Sequence, residues 1–147
     1  QGIIYIENDN DSLALMDLNK VIELDSTNIE AYGYRGNIYL NKDQYDLAEV
    51  DLKKAVELKP NDKHVQYTMG NYYLMKEMFN DAIAFYNKAL ATDPNFKIVL
   101  ENRGIAYYNL GFYRQAAIDF DNAMKYNPQL VEKLKPLYID AKLRAGI

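Results

Sequence analysis

The sequence lacks several residue types on which whole classes of protein chemistry depend. It contains no cysteine, so a disulfide framework, thiolate catalysis and a zinc–thiolate site are excluded, and the redox compartment stays open. Only one histidine occurs among its 147 residues. No apolar run reaches the roughly 20 residues that a membrane-spanning helix requires, and we therefore expect no membrane insertion.

An excess of basic charge is also lacking. The formal net charge is -4 and the sequence pI is about 5.0. Proteins that bind nucleic acid normally carry a basic stripe, so we expect no nucleic-acid partner. Hydrophobic residues make up 49% and charged residues 26% of the chain, which predicts a soluble globular protein rather than a disordered one.

The N-terminus has no initiator methionine. The chain opens with Gln1 and shows no signal-peptide pattern. We interpret the sequence as a fragment or as a chain with a processed N-terminus, from which a targeting segment could be missing. The localisation is therefore unknown, with the cytoplasm favoured.

Sequence motifs of catalysis and metal binding are missing too. There is no Gly-x-Ser-x-Gly, phosphate loop or Rossmann glycine cluster. His64 has no cysteine or carboxylate pair at ligand spacing, which favours a solvated polar residue. Residues 7–12 (ENDNDS) lack the glycine and glutamate of a calcium loop, and Asp11 or Ser12 is expected to cap a helix over Leu13–Leu24. We expect no enzymatic activity, no metal and no cofactor.

The chain does have an internal repeat. Gly36, Gly70 and Gly104 recur at a constant interval within similar heptapeptides. Five other columns keep the same interval: Tyr39/Tyr73/Tyr107, Tyr45/Phe79/Tyr113, Ala48/Ala82/Ala116, Ala55/Ala89/Ala123 and Pro60/Pro94/Pro128. Six columns in phase over three copies indicate a true repeat.

Each repeat is predicted to form two helices joined by a short polar turn. In the first copy these helices run from about Ile29 to Lys42 and from about Tyr45 to Leu58, and proline closes the unit. A glycine inside a helix costs about 1 kcal/mol relative to alanine, so the glycine column needs a packing reason. We expect Gly36 to face Ala48, which would let the two helices approach closely.

A 34-residue helix–turn–helix unit with these columns resembles the tetratricopeptide repeat (TPR) family. The resemblance implies an all-α, right-handed α-solenoid of helix–turn–helix repeats. It predicts one TPR domain over residues 1–147 with three full repeats at 29–62, 63–96 and 97–130.

Both ends of the array are predicted to be incomplete. Residues 1–28 resemble a partial repeat, in which Gly2 and Tyr5 are in phase with the later copies. Residues 131–147 resemble a capping helix of the kind that repeat arrays require. Pro136 lies inside this segment, so we expect the helix to start or kink there.

The resemblance also implies a concave groove, lined by the first helix of each repeat, that holds a peptide or a helix of a partner. Asparagine offers a donor and an acceptor to a peptide backbone, and tyrosine offers a flat amphipathic surface. We therefore expect a protein–protein interaction scaffold with a protein or peptide partner. By family phase, the candidate groove residues are Tyr34, Asn37, Asn41, Tyr67, Asn71, Met75, Asn102 and Asn109.

Two related functions are disfavoured. Chaperone-binding relatives hold a C-terminal carboxylate with a Lys, Asn, Asn, Lys, Arg clamp, and this chain has no basic residue at the matching positions. Pentatricopeptide proteins, which bind RNA, have a 35-residue pitch and usually a basic groove. For the carboxylate clamp, two alignments were considered. The residues of this chain at the five clamp positions are Tyr67, Asn71, Asn102, Glu132 and Pro136 in one alignment and Gly33, Asn37, Thr68, Ile98 and Asn102 in the other.

A structural function remains as the alternative. The partial first repeat leaves the apolar side of Tyr5, Leu13 and Leu18 short of cover. Such an uncapped end favours self-assembly, and a homo-oligomer is therefore possible.

Overall fold

The computed structural model describes residues 9–147, in which helices joined by short turns are the regular secondary structure and no β-strand occurs. The described part of the chain divides after Pro60 into a first compact unit, which ends at that residue, and a second compact unit (61–147). The helices are α1 (Asp9–Leu24), α2 (Ile29–Asn41), α3 (Tyr45–Leu58), α4 (Lys63–Met75), α5 (Phe79–Thr92), α6 (Val99–Asn109), α7 (Tyr113–Tyr126) and α8 (Val131–Ala145), with a 3₁₀ turn at Pro128–Leu130.

The helices alternate between the two kinds that the repeat predicts. We call α2, α4 and α6 first-type helices and α3, α5 and α7 second-type helices, and each first-type helix packs against the second-type helix that follows it. The predicted fold class and the predicted second helix over Tyr45–Leu58 are confirmed. The single-domain organisation and the repeat boundaries stay predictions.

The N-terminal predictions have a mixed outcome. Gly2 and Tyr5, which support the partial repeat, lie outside the described residues. Helix α1 begins at Asp9, so Asp11 and Ser12 lie within the helix. The prediction that one of them caps the helix is therefore wrong.

Side chains just outside the helices determine where α2 and α4 begin. Asn28 Oδ1 accepts a hydrogen bond from the Ala31 amide at 2.9 Å. Asp62 Oδ1 accepts from the amides of His64 at 2.9 Å and Val65 at 3.1 Å. These contacts satisfy amides that have no partner inside the helix, which explains why each helix starts after a polar residue.

The turn inside each hairpin has the same backbone conformation. Asp43, Glu77 and Gly111 occupy equivalent positions in three successive hairpins, and their φ angles are 56°, 58° and 80°. This left-handed conformation is strained for residues with a side chain, so only the third turn uses the residue best suited to it. The recurring turn reverses the chain in the same way in each hairpin.

The glycine column lies where a second-type helix approaches most closely. A Cβ atom on Gly70 would lie 2.4 Å from Tyr86 Cε1, and one on Gly104 would lie 2.7 Å from Phe120 Cε1. At Gly36 the nearest atom, 2.9 Å away, belongs to Leu52. The packing reason for these glycines is confirmed.

The predicted partner of that column is wrong. The sequence predicts Ala48 opposite Gly36, but Gly36 contacts Leu52, which lies one turn further along α3. The hairpin register places a large side chain over each glycine, because the absence of a Cβ atom makes room for it. The alanines of the Ala48 column are fully buried as well, but they are not the groups nearest to the glycines.

Helix α8 differs from its prediction at the start. It begins at Val131, directly after the 3₁₀ turn, and continues through Pro136. The expectation that the helix starts at the proline is therefore wrong. Leu134, before the proline, and Ala141, after it, are both fully buried against the preceding hairpin. Burial on both sides of Pro136 offsets the cost of about 3 kcal/mol that proline imposes within a helix.

Candidate functional site

Three of the predicted groove residues come together in the second unit, where α4 and α6 lie side by side. Asn102 Nδ2 donates a hydrogen bond to Asn71 Oδ1 at 2.9 Å and lies 3.5 Å from the Tyr67 hydroxyl. The Tyr86 hydroxyl of α5 donates to the same Asn71 oxygen at 2.8 Å. We call Tyr67, Asn71, Tyr86 and Asn102 the asparagine cluster.

Tyr86 orients this cluster. Its side chain is fully buried, and burial, together with the neighbouring Tyr67, raises the pKa of Tyr86 well above its usual range. The phenol therefore keeps its proton at neutral pH and acts as a donor. Because Asn71 Oδ1 accepts from both Tyr86 and Asn102, the orientation of the Asn71 amide is determined by its neighbours.

The cluster leaves one donor and one acceptor for a ligand. Among the described residues, no group bonds the Asn71 Nδ2 hydrogens or the Asn102 Oδ1 atom. Both side chains are half-buried, so solvent and ligands reach them. Asn71 can thus donate to a carbonyl oxygen while Asn102 accepts from an N–H group.

Aromatic rings lie beside the asparagine cluster. The Tyr67 and Phe96 ring centroids are 5.8 Å apart, and the exposed His64 ring meets Phe96 edge-on at 5.0 Å. Lys63 Nζ lies 5.1 Å from the Phe96 centroid and pairs with Asp93 at 2.5 Å, a hydrogen bond that lowers the pKa of Asp93. His64 is exposed, as predicted for a solvated residue, and it also contributes to this aromatic surface.

The other predicted site residues are not members of the asparagine cluster. Met75 is exposed at the end of α4, and Asn109 Nδ2 donates to the Ile105 carbonyl at 2.8 Å. Neither residue has a hydrogen bond to the cluster among the described residues. In the first unit, Tyr34, Asn37 and Asn41 are exposed on α2 and bond no other described side chain.

Two arginine clusters were missed by the sequence analysis. In the first unit, the Arg35 guanidinium binds both carboxylate oxygens of Asp51 at 2.7 and 2.6 Å and donates to Asn19 Oδ1 at 2.6 Å. This group (Asn19, Arg35, Asp51) joins α1, α2 and α3. Asp51 is buried, so the pairing compensates the desolvation of its charge.

The second unit repeats this arrangement. Arg103 binds Asp119 at 2.7 and 2.8 Å and Asn87 Oδ1 at 2.8 Å, which joins α5, α6 and α7. The signal was present in the sequence, because each arginine has its asparagine 16 positions before it and its aspartate 16 positions after it. Both arginines occupy the column before the glycine, where they depart from the family pattern.

A polar network attaches α8 to the repeat before it. The Tyr108 hydroxyl donates to Asp140, which also accepts from Arg144 Nε at 2.6 Å. Arg144 lies over the Tyr113 ring at 5.3 Å, and Lys133 donates to Glu101. The face of α8 that carries Asp140 and Arg144 therefore contacts α6 and α7.

Residues 9–147 contain neither a cluster of metal ligands nor a helix that could span a membrane. Within this range no group of three or more His, Asp or Glu side chains is arranged to hold a metal ion. In the same part of the chain, no helix combines the length and the apolar character that crossing a bilayer demands.

Helical hairpins at a 34-residue pitch, each with an aromatic or leucine side chain over a helical glycine, define a helical-repeat protein. Family models described as "Tetratricopeptide repeat" match residues 29–62 and 64–96. Residues 29–62 and 64–96, which make up somewhat less than half of the chain, are thus assigned to the tetratricopeptide-repeat family. No curated protein sequence matches the chain.

Solved structures show the same fold. PilW, described as a widely conserved type IV pilus biogenesis factor, has a TM-score of 0.80 and 24% identity, covering 97% of this chain and 66% of that one. MamA has a TM-score of 0.76 and 20% identity, covering 93% and 74%. The TPR2B domain of yeast Sti1, in a complex with pHsp70, has a TM-score of 0.70 and 22% identity, covering 79% and 97%. The fold is a helical-repeat solenoid, and its family is that of protein–protein interaction scaffolds.

Proposed function

We propose that the chain holds an extended or helical segment of a partner protein against the inward faces of its first-type helices. The observation that carries this proposal is the asparagine cluster, which presents one donor and one acceptor in a fixed orientation. The proposal assigns no catalytic step to the chain.

The chemistry of the cluster matches a peptide backbone. A peptide group carries one N–H and one C=O, and the free groups of Asn71 and Asn102 complement both. Each such hydrogen bond contributes about 0.5–1.5 kcal/mol net, and it does not depend on the ligand's side chains. Because Tyr86 already orders Asn71, the entropic cost of forming these bonds is reduced.

The surroundings of the cluster favour a ligand with apolar side chains rather than a terminal carboxylate. Tyr67, Phe96 and the exposed Met75 offer aromatic and flexible apolar surface. The nearby cation Lys63 is engaged by Asp93, and no basic residue occupies the clamp positions. We therefore propose a partner segment bound mainly through its backbone and apolar side chains, unlike that of the chaperone adaptors.

The first unit is proposed to contribute in the same way. Tyr34, Asn37 and Asn41 are exposed on α2, and the exposed fraction of Tyr34 is 65%. Asn37 is one repeat before Asn71, so it occupies the position equivalent to the central residue of the cluster. The first unit by itself therefore offers the same kinds of polar and aromatic group as the asparagine cluster.

The proposal is tested by a binding measurement with a matched control. A partner is first isolated with the wild-type chain from the native source, and its binding segment is then titrated by calorimetry. Asn71→Ala/Asn102→Ala should weaken binding about tenfold or more, which corresponds to roughly 1.4 kcal/mol. Asn80→Ala, an exposed asparagine on α5, should leave the affinity unchanged.

Two further readings make the result decisive. Circular dichroism should show the same helicity in all three proteins, so that lost binding reports the site rather than the fold. A partner that binds the double variant and the wild type equally would contradict the proposal and would move the interface to another face.

A further inference from the structure

The two asparagines of the cluster offer different groups to a ligand from different helices. Asn71 lies on α4 and Asn102 on α6, and Asn102 Nδ2 already donates to Asn71 Oδ1 at 2.9 Å. The groups that remain are the NH₂ hydrogens of Asn71 and the Oδ1 atom of Asn102. The asparagine cluster is therefore asymmetric, because it donates from α4 and accepts on α6.

The hydroxyl of Tyr86 decides between this arrangement and its reverse. Turning both amides over would preserve a hydrogen bond between Asn71 and Asn102, but it would direct the Asn71 NH₂ group at the Tyr86 hydroxyl. Among residues 9–147, Asn71 Oδ1 is the one acceptor that this hydroxyl bonds. The reversed cluster would thus leave a fully buried O–H group without an acceptor, which is unfavourable. The Tyr67 hydroxyl, 3.5 Å from Asn102 Nδ2, can donate or accept and favours neither arrangement.

The combination of an asparagine with a buried hydroxyl behind it is found at α4. Leu52, Tyr86 and Phe120 share one column of the repeat, and only the tyrosine has a hydroxyl. Gly70 lets the tyrosine ring lie against α4, since a Cβ atom at that position would collide with the ring. The first repeat has an asparagine at the corresponding position, Asn37, but Leu52 has no group that could donate to it.

An extended backbone matches this asymmetric pair. In the body of an α-helix the N–H and C=O groups are bonded to each other, so a helical ligand has no N–H group left for Asn102. In an extended segment the N–H and C=O groups of one residue point to the same side, and the N–H group comes first along the chain. A residue whose N–H reaches Asn102 and whose C=O reaches Asn71 therefore belongs to a segment that runs from α6 towards α4.

We propose that the asparagine cluster binds an extended segment in one direction, with its N-terminal side over α6 and its C-terminal side over α4, and that Tyr86 is the positioning residue that sets this direction. The inference rests on the proposed function and narrows it, because a helical ligand is set aside. A segment of the opposite direction would face the Asn102 oxygen with a C=O group and the Asn71 NH₂ group with an N–H group. Both hydrogen bonds would then be lost.

The test measures the direction of a defined peptide. The probe is a synthetic decapeptide selected on the wild-type chain from a random phage-displayed library, with Asn71→Ala/Asn102→Ala used for counter-selection. It carries a nitroxide at its N-terminal or its C-terminal end, and NMR measures the broadening of the backbone amide resonances of the chain. Helix α8 contacts α6 through hydrogen bonds to Tyr108 and Glu101. The N-terminal label should broaden α8 more than α4, and the C-terminal label should broaden α4 more than α8.

Tyr86→Phe separates direction from binding. The ring keeps its place over Gly70, but the two arrangements of the amides become equally favourable, so each label should broaden α4 and α8 alike. Tyr73→Phe is the matched control, because it removes another hydroxyl of α4, one whose ring stacks on Phe85 and which does not bond the asparagine cluster. The control should keep the wild-type direction. A single direction that survives Tyr86→Phe would overturn the role of Tyr86.

Ester replacement of the peptide's backbone N–H groups, one position at a time, gives an independent reading. Binding to the wild type should weaken about three- to tenfold at one position, and this loss should disappear in Asn102→Ala, which has no acceptor for that N–H group. A decapeptide that binds the wild type in the opposite direction, or in both directions, would overturn the proposed direction and leave the proposed function intact. A selection that yields no decapeptide with weaker binding to the double variant would contradict both.

Discussion

Arg35 and Arg103 place a charged group in a column where the family usually has leucine. Each guanidinium makes a two-point contact with a buried carboxylate and a third hydrogen bond to an asparagine of the preceding helix. Burial opposes the charge of Arg103, yet its hydrogen bonds to Asp119 raise the pKa of the guanidinium above its ordinary value. The guanidinium therefore stays charged, and the geometry of its contacts specifies how three helices meet.

The middle repeat occupies the same positions without charge. Met69 stands in the arginine column and Phe85 in the aspartate column. Phe85 stacks on Tyr73 with a ring separation of 5.3 Å and an angle of 13°. The same pair of positions is thus filled by charged side chains in one repeat and by apolar side chains in the next. The apolar pair can therefore be substituted for the charged pair as an experiment.

Replacing Arg103 alone should be costly. Arg103→Met leaves Asp119 buried without a cation, which should lower the free energy of unfolding by about 3–5 kcal/mol. Arg103→Met/Asp119→Phe should recover most of this loss, because the new phenylalanine can stack on Tyr107 as Phe85 stacks on Tyr73. Urea unfolding of the two single variants and the double variant measures the coupling, and simple additivity of the two losses would contradict it.

The residue scale also shows what sequence reasoning can and cannot predict. The ends of α3 were predicted because helical spacing, the polar turn before it and the proline after it are local signals. The glycines were predicted to need a close neighbour. The identity of that neighbour depends on the hairpin register, and the arginine contacts join residues 16 positions apart, so neither followed from local patterns. At the candidate site, the repeat phase identified Asn71 and Asn102 but assigned no polar contact to the buried Tyr86.

At the scale of a single element, α8 is attached by two kinds of contact. Leu134 and Ala141 supply fully buried apolar surface. Tyr108 and Arg144 converge on Asp140, and these hydrogen bonds hold the pKa of Asp140 below its usual value. The carboxylate form of Asp140 is therefore favoured in the folded chain.

The attachment of α8 should weaken in acid. A carboxyl group whose pKa is lowered by folding stabilises the folded chain at neutral pH, and this contribution is lost as the pH falls through its folded-state pKa. Asp140→Asn should therefore lower the melting temperature at about pH 7 and show a shallower further decrease below about pH 4 than the wild type. Thermal unfolding over this range measures the effect, with Asp81→Asn on the exposed side of α5 as the control. Parallel curves for Asp140→Asn and the wild type would contradict the role of Asp140.

At the scale of the whole molecule, the arginine clusters reveal a second period. Asn19 and Asn87, Arg35 and Arg103, and Asp51 and Asp119 are each separated by two repeats. The positions halfway between them hold Lys53, Met69 and Phe85. The helices recur with every unit, but the polar packing recurs only with every second unit.

Removal of one repeat should therefore create a specific conflict. Deleting residues 63–96 places Lys53 where Asn87 now accepts a hydrogen bond from Arg103, so two cations would face each other. Lys53→Asn should stabilise the shortened chain by about 1.5 kcal/mol or more, since it restores a hydrogen bond to a charged group. The same substitution in the full-length chain should change the unfolding free energy by less than about 0.5 kcal/mol, as for most surface positions. Equal effects in both backgrounds would contradict the two-unit period.

Because the arginine clusters occur in every second repeat unit, it matters whether an odd or an even number of units is added or removed. Removing or duplicating one hairpin unit keeps the helical pitch but mismatches the polar side chains at the new junction. When a pair of units is added or removed, every arginine keeps its own asparagine and aspartate beside it. For anyone who lengthens or shortens this scaffold, the smallest interchangeable module is therefore a pair of repeats rather than a single one.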